Sequence, residues 1–272
     1  TIDTAKTVAM HTGLPAVSVP TTASTDAPTS GLAVIYTQDG VVKRYQFLPR
    51  NPALVLVDSE VVVNAPLRYL VAGMGDALAT WFEATSCGQS RARNMSGGSG
   101  PLAAFTLARL CYDTLLSYGV LACQAAALHV VTPAVEHIIE ANTLLSGLGF
   151  ESGGLATAHS IHNGLTSLAP THAYLHGEKV AIGTLTSLFL TDKSREQIEE
   201  VYQFCEAVGL PTTLAGIGLE AASAQDLQQV AEVACKEGET IHNEPQPVTP
   251  GAVVAALQAA DAYGRARRAA QR

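Results

Sequence analysis

From Pro66 onward the chain is written in helical periods, and strand signals fade from it. Ala, Leu, Glu and Gln dominate there, residues that lose little freedom in a helix. The periodicity predicts helices over Leu67 to Cys87, Leu102 to Leu116, Val131 to Leu148, Leu155 to Leu168 and Glu178 to Leu190. Three more follow, over Ser194 to Val208, Ser223 to Lys236 and Ala252 to Gln271. The Ser194 helix opens on a Ser-x-x-Gln capping pattern and stops at Gly209-Leu210-Pro211. A segment of this texture folds as packed helices.

The first sixty residues alternate instead. Ile2, Ala5, Val8 and Ala9 fall on one face of a helix over residues 2 to 11, ended by Gly13 and Pro15. Pro15 to Pro20, Ala33 to Thr37, Val41 to Leu48 and Ala53 to Val57 read as strands. Asp39-Gly40 suits a tight hairpin turn between the middle two. The expected architecture is therefore a partial α/β unit over 1–60 followed by an all-helical domain over 61–272.

Charge and cysteine content narrow the function classes. The 272 residues carry a net charge of −8, a field that repels phosphates and excludes a nucleic-acid partner. No apolar run is long enough for a membrane span, and no secretion signal opens the chain. Five widely spaced cysteines without a Cys-x-x-Cys suit a reducing cytoplasm. Charged residues are only 15%, against about 25% in ordinary domains. So lightly charged a surface is expected to be covered by other subunits in a homo-oligomer.

The histidines are unevenly placed. His159, His162, His172 and His176 make four of eight within one short stretch. His159 and His162 are three apart on a helix and share a face. His176 precedes Gly177-Glu178, where a new helix begins, so it and His159 can converge across a helix pair. Neutral imidazole is a common metal ligand, but buried histidines also serve as caps or as core hydrogen-bonding groups. Asp76 lies in an otherwise apolar helix (RYLVAGMGDALATWFEA), either as a buried charge needing a partner or as an N-cap after Gly75. One Asp and two His would leave an open coordination position, the arrangement of a catalytic zinc. The loop Thr21 to Ser30 (TTASTDAPTS) follows a strand, where α/β folds bind ligands. Its hydroxyls and Asp26 suit a polyol or a ribose, and suit a plain solvated loop as well.

Four segments, VPTTASTDAPTSGLAVIYT, GDALATWFEA, GFESGGLATAHSIHNGLT and HGEKVAIGTLT, together resemble the glycerol dehydrogenases. These are the metal-dependent polyol branch of the iron-containing alcohol dehydrogenase family. The resemblance covers essentially the whole chain. It implies a Rossmann-like α/β domain followed by a helical metal-binding domain, the dehydroquinate synthase-like architecture, with the site in the cleft between them. It implies NAD-dependent oxidation of glycerol, or a related vicinal diol, to the ketone. It assigns Asp76, His159 and His176 to a catalytic zinc, and Asp26 to the polyol hydroxyls. Thr21, Ser30, Leu32 and Val34 fall to the nicotinamide and ribose part of the NAD site. His162 is a candidate proton-relay or ligand-supporting group. Iron-using relatives carry a further His four residues after the Asp; Thr80 stands there, which favours zinc. The family's glycine-rich pyrophosphate loop would precede Thr1, so the chain reads as beginning just past that loop. Glycerol-1-phosphate dehydrogenases and dehydroquinate synthases share the architecture, but no Lys or Arg stands between residues 150 and 178 to meet their anionic substrates. A non-catalytic metal-binding module serving assembly is the other alternative.

Overall fold

The computed structural model describes residues 2–37 and 42–270. It opens with helix α1 (Ile2–Thr12) and four short strands, β1 (Val17–Ser18), β2 (Leu32–Tyr36), β3 (Val42–Phe47) and β4 (Leu54–Val55). The strands form two separate pairs. β1 and β4 are parallel, with Val17 opposite Leu54, and β2 and β3 are antiparallel, with Leu32 opposite Phe47. The predicted strands over Pro15 to Pro20 and Ala53 to Val57 shorten to two residues each. Proline at both ends of the first removes ladder donors. The predicted Asp39-Gly40 turn lies outside the described residues.

The rest is helical: α2 (Ser59–Val63), α3 (Leu67–Ser90), α4 (Leu102–Ala126), α5 (Pro133–Glu140), α6 (Ser146–Gly153) and α7 (Thr157–Leu165) come first. α8 (His176–Leu190), α9 (Arg195–Val208), α10 (Ala224–Ala234) and α11 (Pro250–Ala270) follow. No described helix is long and apolar enough to cross a membrane. Local chemistry accounts for many ends. Ser194 accepts from the Gln197 N–H at the start of α9, and Gly209, at φ +85°, closes it in the left-handed region. Thr132 and Pro133 start α5 in the same manner, a hydroxyl cap followed by proline at the first turn. Asp58 caps the short α2, which the periodicity did not foresee.

Two helices depart from expectation. α4 runs ten residues past the predicted end at Leu116, because its apolar pattern continues through Gly119 and Ala122, both buried. The single helix expected over Val131 to Leu148 is instead α5, a π-turn (Ala141–Leu145) and α6. The π-turn holds the buried Asn142, whose amide donates to the carbonyls of Ala23 (2.9 Å) and Leu70 (3.0 Å).

α3 is the hub. Residues 70–80 are buried around its whole circumference, and it packs on α4, α6 and α8. Met74, Leu78 and Phe82 face Tyr112, Leu115, Ile138, Leu185 and Tyr202 in the main core. A second core, of Ile161, Leu165, Val230 and Leu257 among others, joins α7 to α10 and α11. Glycines permit the closest approach. A Cβ on Gly177 would stand 1.7 Å from the Ala72 carbonyl oxygen, so α8 starts hard against α3.

Candidate metal centre

That contact places the histidines. Asp76 occupies the middle of α3 and is 1% exposed. It is not an N-cap, because α3 begins nine residues earlier at Leu67. His176 is the first residue of α8, and His159 lies in the first turn of α7. Glu178 anchors the start of α8. It accepts from the Leu175 N–H at 2.7 Å and pairs with Arg68 at 2.6 Å. The outcome is a convergence of three donors from three helices. Asp76 Oδ1 lies 3.4 Å from His159 Nε2 and 3.1 Å from His176 Nε2. The ligand atoms of the three residues all fall within 4.8 Å of one another.

Each ring is oriented from behind. Glu83, two helical turns beyond Asp76 on the same face of α3, is buried. One of its oxygens accepts the N–H groups of Ala156 (2.9 Å) and His159 (3.0 Å), and the other lies 2.6 Å from His159 Nδ1. A carboxylate only accepts, so Nδ1 carries the hydrogen and Nε2 is turned to Asp76. His176 Nδ1 lies 2.9 Å from His162 Nε2, and its Nε2 likewise faces Asp76. Nitrogens placed this close to one carboxylate oxygen call for a positive species between them. Burial works against a charge on His159, yet the fields and hydrogen bonds of Glu83 and Asp76 outweigh it and hold its pKa well above the usual histidine value. Burial would raise the Asp76 carboxyl, but the two imidazoles hold it far below the usual range. Two imidazole nitrogens, one carboxylate oxygen and an open side fit a divalent ion of the zinc type.

Asp26 adjoins this cluster. Its backbone N–H donates to Asp76 Oδ2 at 3.3 Å, and its side chain accepts from Ser146 Oγ at 2.7 Å. Thr80 completes the chain, 2.9 Å from Ser146. Burial and the charge on Asp76 push the Asp26 carboxyl up to about 8. The loop carrying it is pinned by Lys6, which is 1% exposed and donates to the Ala27 and Leu32 carbonyls and to Ser30 Oγ. A cavity of about 60 Å³ lies between Asp26, His159, His162 and His176 on its polar side and Leu32, Val34 and Phe150 on its apolar side.

The expected site residues thus divide. Asp26, Leu32, Val34, Asp76, His159, His162 and His176 come together here. Thr21 is exposed and off the cavity wall, and Ser30 is buried with its hydroxyl engaged by Lys6. His162 has both ring nitrogens engaged, by His176 and by Asn163 (3.2 Å), which places it directly behind His176. Burial and the neighbouring cationic groups hold its pKa well below the ordinary value, so it is neutral. His172 lies apart, bonded to the Thr166 carbonyl at 2.8 Å, a structural histidine. Sequence reasoning missed Glu83, Lys6, Ser146 and Asn163. Only Glu83 had a local signal, its seven-residue spacing from Asp76.

The model of the iron-containing alcohol dehydrogenase family matches residues 1–66. A glycerol dehydrogenase of Thermotoga maritima is 68% identical over 268 residues, 98% of this chain and 74% of the relative. One from Citrobacter freundii is 54% identical, over 97% of this chain and 73% of its own length. Among solved structures, a probable glycerol dehydrogenase from Sinorhizobium meliloti superposes with a TM-score of 0.95 at 51% identity, covering 97% of this chain and 74% of that one. The glycerol dehydrogenase of Schizosaccharomyces pombe superposes equally well at 43% identity, over 97% of this chain and 67% of that one. With three quarters of the Thermotoga relative matched at that identity, the chain belongs to the glycerol dehydrogenases of the iron-containing alcohol dehydrogenase family.

Proposed function

We propose that this chain acts in the NAD-dependent oxidation of glycerol, or a related vicinal diol, to dihydroxyacetone or the corresponding ketone. The observation that carries the reading is the convergence of Asp76, His159 and His176, with Glu83 behind His159, in a chain whose relatives are glycerol dehydrogenases. Asp76, His159 and His176 hold a divalent cation, which we take to be zinc. When bound, the cation supplies Lewis acidity towards an alcohol oxygen and the nicotinamide supplies a hydride acceptor.

The chain's own residues do the remainder. Asp26 stands on the cavity wall next to the ligand cluster, where its carboxyl can hydrogen-bond a polyol hydroxyl. Ser146 and Lys6 hold it there. Leu32, Val34 and Phe150 give the cavity an apolar flank that limits water around a nicotinamide. Thr21 and Ser30 complete our assignment of the cofactor's ribose side. Within a dehydroquinate synthase-like architecture, we further assign residues 1–60 to the C-terminal part of a Rossmann-like NAD-binding domain and 61–272 to the helical metal-binding catalytic domain. The low charge content supports a homo-oligomer, and five free cysteines support a reducing, cytoplasmic setting.

Phosphorylated polyols suit the cavity less well. Among the described residues no Lys or Arg lines it. The test has two parts. His176→Ala should abolish stoichiometric zinc and turnover, and one zinc retained per chain would refute the ligand assignment. Steady-state rates should favour glycerol over glycerol phosphate, and the reverse order would refute the substrate.

A further inference from the structure

The geometry points to Asn163 as a positioning residue that decides which nitrogen of His176 carries the hydrogen, and so whether the Nε2 facing the metal position is free to bind. The inference rests on the reading that His176 is a ligand. Asn163 is buried near the end of α7 and touches neither Asp76 nor the ligand atoms of the two histidines. Its amide Nδ2 donates to Glu239 Oε2 at 2.9 Å and to the Tyr45 hydroxyl at 2.7 Å. A carboxylate oxygen has no hydrogen to give, so Glu239 fixes which end of the amide is Nδ2. The amide oxygen must then face the other way, to His162 Nδ1 at 3.2 Å. His162 therefore carries its hydrogen on Nδ1 and leaves Nε2 bare. That bare nitrogen accepts from His176 Nδ1–H at 2.9 Å. His176 is left with a bare Nε2, 3.1 Å from Asp76 Oδ1, where the cation belongs.

The links from Glu239 to His176 Nδ1 each pair one donor with one acceptor, and a hydrogen on Nδ1 lets neutral His176 offer Nε2 to a cation. If the Asn163 amide turned round, His162 would carry its hydrogen on Nε2, and His176 would in turn carry one on its own Nε2. An N–H would then point into the metal position. Glu239, from the segment following α10, thus selects the metal-binding form of a histidine it never touches. Tyr45 belongs to β3, on the wall of the cavity opposite α7, so the same relay ties the β2–β3 pair to the ligand set. Groups that orient a metal's ligands commonly matter about 10- to 100-fold in affinity.

The experiment is zinc affinity by competition with a chelator, on the intact chain. Asn163→Leu keeps the branched outline of the side chain and removes both ends of the amide. It should weaken zinc by about 10- to 100-fold. The double variant N163D/E239Q restores the pattern with the partners exchanged. Its aspartate accepts from His162 and from the new glutamine amide, so affinity should return to within about threefold of the parent, half a decade on the same scale. Undiminished zinc binding in Asn163→Leu would overturn the inference. So would a double variant as weak as the single one, because that marks Asn163 as mere packing. A parent chain that binds no zinc would refute the metal reading itself, and this inference with it.

Discussion

Replacing Lys6 by methionine tests whether one buried cation holds the substrate side of the site in place. Lys6 lies on α1, and its ammonium donates to the carbonyl oxygens of Ala27 and Leu32 and to Ser30 Oγ. Burial lowers its pKa, while Asp3, Asp26 and Glu151 pull the other way. Methionine keeps the apolar stem and removes all three donors. The carbonyl oxygens of Ala27, part-buried, and Leu32, buried, lose this donor, at about 1–3 kcal/mol each. The Ser30 hydroxyl can turn to one of them and recover about 1 kcal/mol. Relief from burying an ammonium offsets part of the rest. The net expectation is a loss of about 3 kcal/mol, or about 6–12 °C in Tm at a scale of 2–4 °C per kcal/mol. The same loss frees the loop that carries Asp26. KM for glycerol should rise by about tenfold, the worth of one neutral hydrogen bond to the polyol. Zinc content should stay at the parent level, because α3, α7 and α8 carry the ligands. The assays are thermal unfolding, metal content and steady-state kinetics on one preparation. A Tm unchanged within the error of the scan, or an unchanged KM, would refute the reasoning.

Two further outcomes are expected. Gly177→Ala would put a Cβ 1.7 Å from the Ala72 carbonyl oxygen, a backbone atom that has nowhere to go. The α3–α8 contact should open at a cost of about 3 kcal/mol or more, carrying His176 away from Asp76; a variant with parental Tm and zinc content would contradict this. The second concerns pH. His159 has its pKa raised in the folded, metal-free chain because the fields of Glu83 and Asp76 outweigh its burial. Its stabilisation is therefore fully present below the unfolded value of about 6.5 and is lost as pH rises through the folded pKa. Zinc has to displace that proton. Uptake near neutral pH should release about one proton from this group, with affinity climbing about tenfold per pH unit. Calorimetry in two buffers of different ionisation enthalpy reads it directly, and identical heats would contradict it.

What could be read along the chain was short-range. Ser194 and Gly209 bound α9 as their types predict, and the change from strand to helix texture near residue 60 is where the last strand, β4, ends. The family was legible, and with it the proposed ligand triad, because Asp76, the His159 segment and His176-Gly177 each stand in a distinctive local text. Resemblance reached further than periodicity here. From spacing alone, Asp76 as an N-cap remained open, because a helix period says nothing about what surrounds the helix. Packing answered it by burying α3 on every side.

The same limit hid the supporting residues. Glu83 meets His159 across 76 residues of chain, Ser146 meets Asp26 across 120, and Asn163 meets Tyr45 across 118. Each is an ordinary polar residue in its own neighbourhood. Asn142, in the π-turn Ala141–Leu145, likewise meets carbonyls 119 and 72 residues away. Helix propensity, capping and apolar period act within a few residues, so they leave their mark in the sequence. Donor and acceptor pairing in a buried site is settled by whichever groups the fold brings within 3 Å, and that choice is made in three dimensions.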